Sequence, residues 1–436
     1  MFNIKYNLLV VIQIVLGILN YVLLVRVFGI SVSSDAYLLT ISSFFALTLF
    51  GTIPLSQIIP YYNDLKINSP QKAGEFYNSS LFFAFIIGIL LFIFINIFIN
   101  LTVKVFACSL DTERMMLFKS LLQIASFGFI FYPMNQVNEQ IFNAEMRFAI
   151  PYTLTCIPTL FKVLTQVSML FTHNYNISHL LYAQSIGFGV ITIFGTLFIA
   201  RNMIPFRLVF WTDTLKEEIK NSSVIKVSDV ILSNSITALF NNFLALFPKG
   251  YISYYYYARK IMDIASTFAI GPSARFLTSG ISKMLAAKNT EAIKRLAKKF
   301  LLVGGSIFAV ALIITYFVQT PILKVISMGK LDSNDLWMIS LFYLILCPQQ
   351  IIGFIQSPVW AVTMQAKKAK NIFIINVLYL VIFAPIIYFA KPIFGVYTLS
   401  VAPSSAMLLT FTLYTLSAGK VLKDISETPK TEEAVC

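Results

Sequence analysis

Twelve times along its 436 residues the chain runs for about twenty positions on apolar side chains with few or no charges. A helix rises about 1.5 Å per residue, so each run is long enough to cross the roughly 30 Å hydrocarbon core of a bilayer. Hydrocarbon offers no hydrogen bonds to the backbone, which leaves helices as the spanning structure for such runs. The spans are expected at 8–27, 36–59, 79–101, 121–142, 148–171, 180–200, 230–247, 252–280, 300–318, 336–359, 372–390 and 396–416. The fold class is therefore an all-α polytopic membrane protein with about twelve transmembrane helices. The first run is longer than a signal-peptide core and lacks a small-residue cleavage site, so it reads as a retained span.

Charge supports the same reading. The net charge of +14 could point to nucleic acid, but the lysines and arginines sit between apolar runs instead of on a soluble face, so nucleic acid is excluded as a partner. Cytoplasmic loops carry the Lys and Arg excess of a membrane protein. With the amino terminus inside, 21 of these residues fall in inner segments and 8 in outer ones, so both termini are expected in the cytoplasm of a bacterial inner-membrane protein. Membrane lipids are then obligatory partners. The segment 286–300, AAKNTEAIKRLAKKF, is a basic amphipathic helix suited to anionic headgroups.

A polar stretch containing Arg201, Arg207, Asp213, Lys216, Glu217, Glu218 and Lys220 separates two sets of six spans. The expected division is an amino-terminal six-helix lobe at 1–222, a carboxy-terminal six-helix lobe at 223–420 and a cytoplasmic tail at 421–436. The halves echo each other: Pro54 precedes Lys104 in TVKVF much as Pro272 precedes Lys324 in ILKVI. Such internal symmetry suggests two bundles around a central cavity.

An ionisable side chain at bilayer depth costs about 2.5 to 3.5 kcal/mol, so it is expected to face a cavity or a partner. Lys162 lies mid-span, on one helix face with Thr155, Thr159 and Gln166. In YISYYYYARKIMD, Tyr256, Lys260 and Asp263 share a sector, and Arg259 stands four residues before Asp263. Tyr254 and Tyr255 read as an interfacial aromatic belt. Asn135 and Asn138 share a face of the fourth span and serve either as cavity groups or as glue between helices. Pro54 and the pair Gly271 and Pro272 interrupt their spans and are candidate hinges.

Four cysteines without C-x-x-C spacing and two histidines near one short loop offer no metal site. No Walker loop, G-x-G-x-x-G or H-E-x-x-H occurs, and the outer loops are too short for a catalytic domain. No catalytic residue and no cofactor is expected; coupling to an ion gradient or to the membrane potential is left open.

Several local patterns together carry a resemblance. Leu16 and Gly17, then Arg26, Phe28 and Gly29, then Ser34, Asp35 and Ala36 form an L-G, R-x-F-G, D-A series. IFNAEMRFAIP supplies Asn143, Arg147, Phe148, Ile150 and Pro151, followed by Pro158, Thr159 and Leu160. Tyr256, Tyr257, Ala258, Lys260 and Asp263 complete it. The chain resembles the MurJ/MviN branch of the multidrug/oligosaccharidyl-lipid/polysaccharide flippase superfamily. It departs from the lipid II members at Leu19 and Asn20, where they carry an Arg-Asp pair, near Thr48, where they carry arginines, and at Arg259, where the pattern has Asp. With twelve spans expected, the two further helices that form a lipid groove in typical members are not expected here.

The resemblance implies a V-shaped pair of lobes that moves the headgroup of a polyprenyl-diphosphate-linked glycan by alternating access. Arg26, Lys162, Arg259 and Lys260 are then candidates for the anion, with Asp263 balancing them and Gln166, Asn135, Asn138 and Tyr256 as polar cavity groups. Glycan-assembly enzymes are candidate partners. Two other readings compete: a drug or metabolite antiporter of the same superfamily, which would favour acidic cavity residues, and a membrane glycan polymerase or ligase, which would need a substantial outer loop.

Overall fold

The structure, a computed structural model, describes the backbone of residues 4–427 apart from 53, 54, 56, 57, 146, 148, 287, 367 and 368, and leaves aside further side chains within helices, including those at 221–229 and 267–276. The described residues are helical almost throughout, and the twelve expected spans fall on helical segments, the second, third and fourth each divided between two helices. Among the described residues, eight helices are long and apolar enough to cross a membrane, or nine with one bent pair. Shorter apolar helices at Val15–Phe28 and Val230–Ala245 lie on the first and seventh expected spans. By packing, the chain forms two compact units, Met1–Ser253 with Leu323–Asp332, and Tyr254–Ile322 with Ser333–Cys436.

In the first unit, α1 (Ile4–Phe28) packs on α8 (Ala149–Thr172), α8 on α9 (Ser178–Asn202), and α9 on α7 (Phe127–Ala144). A turn through Gly29, whose φ of +57 suits a residue without a side chain, leads into α2 (Val32–Thr52). Ser31 and Ser34 bond each other's backbone N–H at the start of α2, at 3.2 and 2.9 Å. α3 (Ile58–Asn68) is short and precedes α4 (Pro70–Ile97), which starts nine residues before the expected span because Pro70 sits at its first turn, where a missing N–H costs nothing.

After α5 (Ile99–Ala107), the expected fourth span is divided into α6 (Thr112–Ala125) and α7, bent by 46°. Ser126 at the break donates back to the Gln123 carbonyl at 2.6 Å and accepts from Asn96 at 2.9 Å, bonds that compete with the helical ladder. α4 meets α7 at Gly88, where an added Cβ would come within 2.7 Å of the Phe129 and Ile130 carbonyl oxygens. Phe44 of α2 stacks on Phe129 and Phe188 at 4.8 and 5.9 Å, joining three helices through aromatic faces. α10 (Asp213–Ala245) begins at Thr212, which caps Leu215 and pairs with Ser79 of α4 at 3.1 Å, and it packs on α2 and α5.

The second unit takes up α11 (Tyr251–Ala286) from Tyr254, then α12 (Thr290–Lys299), a five-residue π-turn at Phe300–Gly304, and α13 (Gly305–Ser327) as far as Ile322. α14 (Ser333–Gln365) and α15 (Ala369–Phe389) both pack on α17 (Thr398–Glu427), and the short α16 (Lys391–Phe394) links α15 to it. Asn371 donates to Ser417 at 3.1 Å and Tyr414 to Asn376 at 3.2 Å across the α15–α17 contact. α12 is the expected basic amphipathic helix: Asn289 caps it, Glu291 opens it, Lys298 and Lys299 close it, and Ile293 is buried beneath. α17 continues seven residues beyond Lys420, with Val421 buried.

Candidate functional site

On α11 the side chains divide cleanly. Ile252, Ser253, Tyr254, Tyr255, Tyr257, Ala258 and Met262 are buried, whereas Arg259, Lys260 and Asp263 are exposed and Tyr256 is half-buried. Helical spacing places the three ionisable groups in one sector beyond the packed stripe. The Arg259 guanidinium donates to the Tyr255 hydroxyl at 3.0 Å, so a buried phenol fixes its direction. Tyr254 donates to the Asp335 carboxylate at 2.6 Å. Tyr254 and Tyr255 are 7% and 1% exposed, which overturns the aromatic-belt expectation: both pack inside the second unit because α11 presents them to its neighbours.

A further candidate cation stands in the first unit. α8 and α9 approach so closely at Gly187 that a Cβ there would lie 2.6 Å from the Pro158 Cα. One turn along α8 from this contact, the half-buried Lys162 donates its Nζ to the buried Gln184 Oε1 at 3.3 Å. Gln166 lies a further turn along, is 1% exposed, and has no hydrogen-bond partner for either amide end among the described residues. A buried amide in that condition costs about 1 to 3 kcal/mol, which marks the α8 face as polar in a way that packing does not explain. Thr155 on the same face accepts from Gln13 of α1 at 3.5 Å.

Arg26 is half-buried in the last turn of α1. Asn135 is buried on α7. Asn138, expected as a cavity group, is fully buried and engaged at both ends: it accepts from Tyr77 at 2.9 Å and donates to Thr196 at 3.0 Å and to the Thr192 carbonyl at 3.4 Å. It is glue between α4, α7 and α9, not a cavity residue. Gly195 leaves room for it, since a Cβ there would lie 3.1 Å from its amide nitrogen. Of the expected hinges, Pro54 lies outside the described residues; α11 is helical through 271 and 272, whose side chains lie outside the described set.

Sequence reasoning missed one buried network. Asp35, in the first turn of α2 and 0% exposed, accepts the backbone N–H groups of Gly250 and Ser253 at 2.7 and 2.8 Å and the Ser253 hydroxyl at 2.6 Å. Its carboxylate thereby caps the amino terminus of α11, where the helix dipole favours negative charge. Gly250 has φ +94, a backbone that side chains rarely adopt, and so makes the turn into the cap. Arg114, 4% exposed, places Nη1 3.7 Å from Asp35, donates Nε to Asp111 at 2.7 Å and Nη2 to the Phe247 carbonyl at 3.3 Å. The backbone N–H of Arg114, then its side chain, hold the Asp111 carboxyl below the usual carboxylate range. One signal was available: Asp35 is the sole acidic residue in the first 63.

Among solved structures, a lipid II flippase MurJ in an inward closed conformation superposes with a TM-score of 0.74 at 21% identity, covering 97% of this chain and 90% of that one. An inward-facing multidrug resistance MATE family transporter of the MOP superfamily gives 0.76 at 11% identity, over 95% and 96% of the two chains. A MOP superfamily transporter from Pyrococcus furiosus, described by the reverse polarity of its binding pocket, gives 0.63 at 13%, over 96% and 95%. These likenesses establish the fold. Among curated protein sequences none matches the chain. The profile of the family described as lipid II flippase MurJ matches residues 24–432, nearly the whole length, and the chain belongs to that family.

Proposed function

We propose that the protein is a flippase that carries a polyprenyl-diphosphate-linked glycan precursor across the bacterial inner membrane by alternating access, with both termini in the cytoplasm. A sugar-bearing diphosphate cannot enter hydrocarbon without its hydration, so a carrier must replace water with fixed cations and polar groups. The observation that carries the reading is the α11 sector: two exposed cations, Arg259 and Lys260, stand against one carboxylate, Asp263, within five residues of one helix. Lys162, with Gln184 and Gln166 on the α8 and α9 faces, is the matching group of the first unit. The excess is basic, which favours an anionic headgroup over cationic drugs. Coupling to an ion gradient or to the membrane potential supplies direction in this reading.

Translocation of a labelled lipid-linked sugar in proteoliposomes tests it. Wild-type protein is expected to expose the sugar to the opposite leaflet, and Lys260→Ala and Lys162→Ala to lose that activity while folding normally. Activity within a few-fold of wild type in both variants would overturn the anion site.

A further inference from the structure

A groove of about 600 Å³ runs between α13 and α14 within the second unit. Its volume lies in the range of true ligand sites, about 300 to 1,000 Å³. The floor is apolar and ordered: Phe308, Leu312, Tyr343 and Phe354 are buried, and Phe354 stacks between Phe300 and Phe308 at 4.9 and 5.4 Å. The hydroxyl of Tyr343 is satisfied by Thr315 at 2.6 Å and by the Leu312 carbonyl at 3.0 Å. Gly305 and Ala309 keep one wall low; a Cβ on Gly305 would already touch Phe354 at 3.3 Å.

The mouth opens where Ile313, Phe317, Leu344 and Ile355 are exposed, on two helices apolar enough to span a membrane. What fills the groove therefore comes from hydrocarbon. Length narrows the choice. The lining runs along the helix from Leu301 to Phe317, about 24 Å at 1.5 Å per residue, whereas one leaflet is about 15 Å thick, half of the roughly 30 Å core. A single phospholipid acyl chain reaches only part of the way; a long polyprenyl chain reaches all of it. Rigidity adds selectivity. Inside a membrane no hydrophobic drive distinguishes one chain from another, so shape and ordering cost decide. A polyprenyl chain, with a double bond in every five-carbon unit, loses fewer rotamers on binding than a saturated chain of equal length.

We propose that the α13–α14 groove seats the polyprenyl chain of the lipid-linked substrate. The assignment rests on the flippase reading for its substrate class, and it is tested by binding separately from transport. Purified full-length protein in nanodiscs is irradiated with a long polyprenyl diphosphate carrying a diazirine near the chain end, or with a diazirine phosphatidylglycerol, and labelled peptides are mapped. The expected result is polyprenyl labelling at 309–317 and 344–355, competed by unlabelled polyprenyl diphosphate and not by phosphatidylglycerol. Ala309→Trp should cut that labelling at least tenfold and raise the half-saturating concentration of a long-chain substrate about tenfold, while a substrate shortened to two isoprene units is handled as by wild type. Val310→Trp, which points to lipid beside the groove, should match wild type in both. Equal labelling by the phospholipid probe, or a cross-linked dimer through this face, would overturn the assignment. Wild-type labelling of the groove without any translocation would sink the flippase reading and leave the groove standing; translocation without groove labelling would do the reverse.

Discussion

Asp35 accepts the backbone N–H of Gly250 at 2.7 Å across 215 residues of chain, so one carboxylate joins the first turn of α2 to the turn before α11. The same carboxylate takes two bonds from Ser253 and lies beside Arg114. Removing it strips the cap and leaves the guanidinium buried without its second acid.

Asp35→Ala is expected to destabilise the protein by about 3 to 5 kcal/mol, the cost of orphaning a buried charge, and Asp35→Asn by about 1 to 3 kcal/mol. Unfolding midpoints in detergent give both values. Combined with Arg114→Leu, Asp35→Ala should cost clearly less than the sum of the single losses. Additivity within about 0.5 kcal/mol would mean the two groups do not communicate.

Tyr255→Phe removes the acceptor of Arg259 without touching the charge. The half-saturating concentration of substrate should rise about three- to tenfold, because the guanidinium loses a bond of about 1 kcal/mol that fixes its direction. Maximal rate should change little. An unchanged concentration dependence would separate Arg259 from substrate handling.

Close helix approaches make a graded series. Gly187→Ala and Gly88→Ala drive a methyl into Pro158 or into two carbonyls, and each should cost about 1 to 3 kcal/mol. Gly17→Ala meets nothing within 4 Å and should be neutral or stabilising by up to about 1 kcal/mol. Thermal midpoints of the three variants check the order.

Glu145, just past α7, accepts from Lys66 at 2.6 Å and from Tyr62 at 2.7 Å. Burial pushes its carboxyl upward, but the hydrogen bonds from Lys66 and Tyr62, with the charges of Lys66 and Arg147, outweigh this and leave it below the usual range. A lowered folded value means the contribution is present above the unfolded carboxylate value of about 4.3 and fades as pH falls through the folded one. Acid melts of Glu145→Gln should therefore be flatter than wild type below about pH 4.3. Parallel curves would remove Glu145 from the acid response.

The spans were legible because a twenty-residue apolar run has one physical solution in lipid, and these runs lie on helical segments, three of them divided between two helices. Lys162 was legible as an expensive residue for the same reason. Its partner Gln184 was not, because their meeting depends on the close contact of Gly187 with Pro158, which no local pattern encodes. Asn138 and the tyrosines at 254 and 255 show the complementary failure: composition placed polar and amphipathic groups at depth, but which side of the helix met protein was decided by neighbours far away in sequence. The Asp35 cap was hidden because two of its donors are backbone atoms, which carry no residue identity.

The π-turn at Phe300–Gly304 sets the angular phase between α12 and α13. Deleting one residue there would let the segment relax to ordinary α-helical winding while α12 keeps nearly its present phase, because the wide turn absorbs one extra residue. Ile293 would keep its seat and the lysines at 298 and 299 the direction they address. The wide turn thus lets the chain carry a surplus residue without re-aiming a whole basic helix.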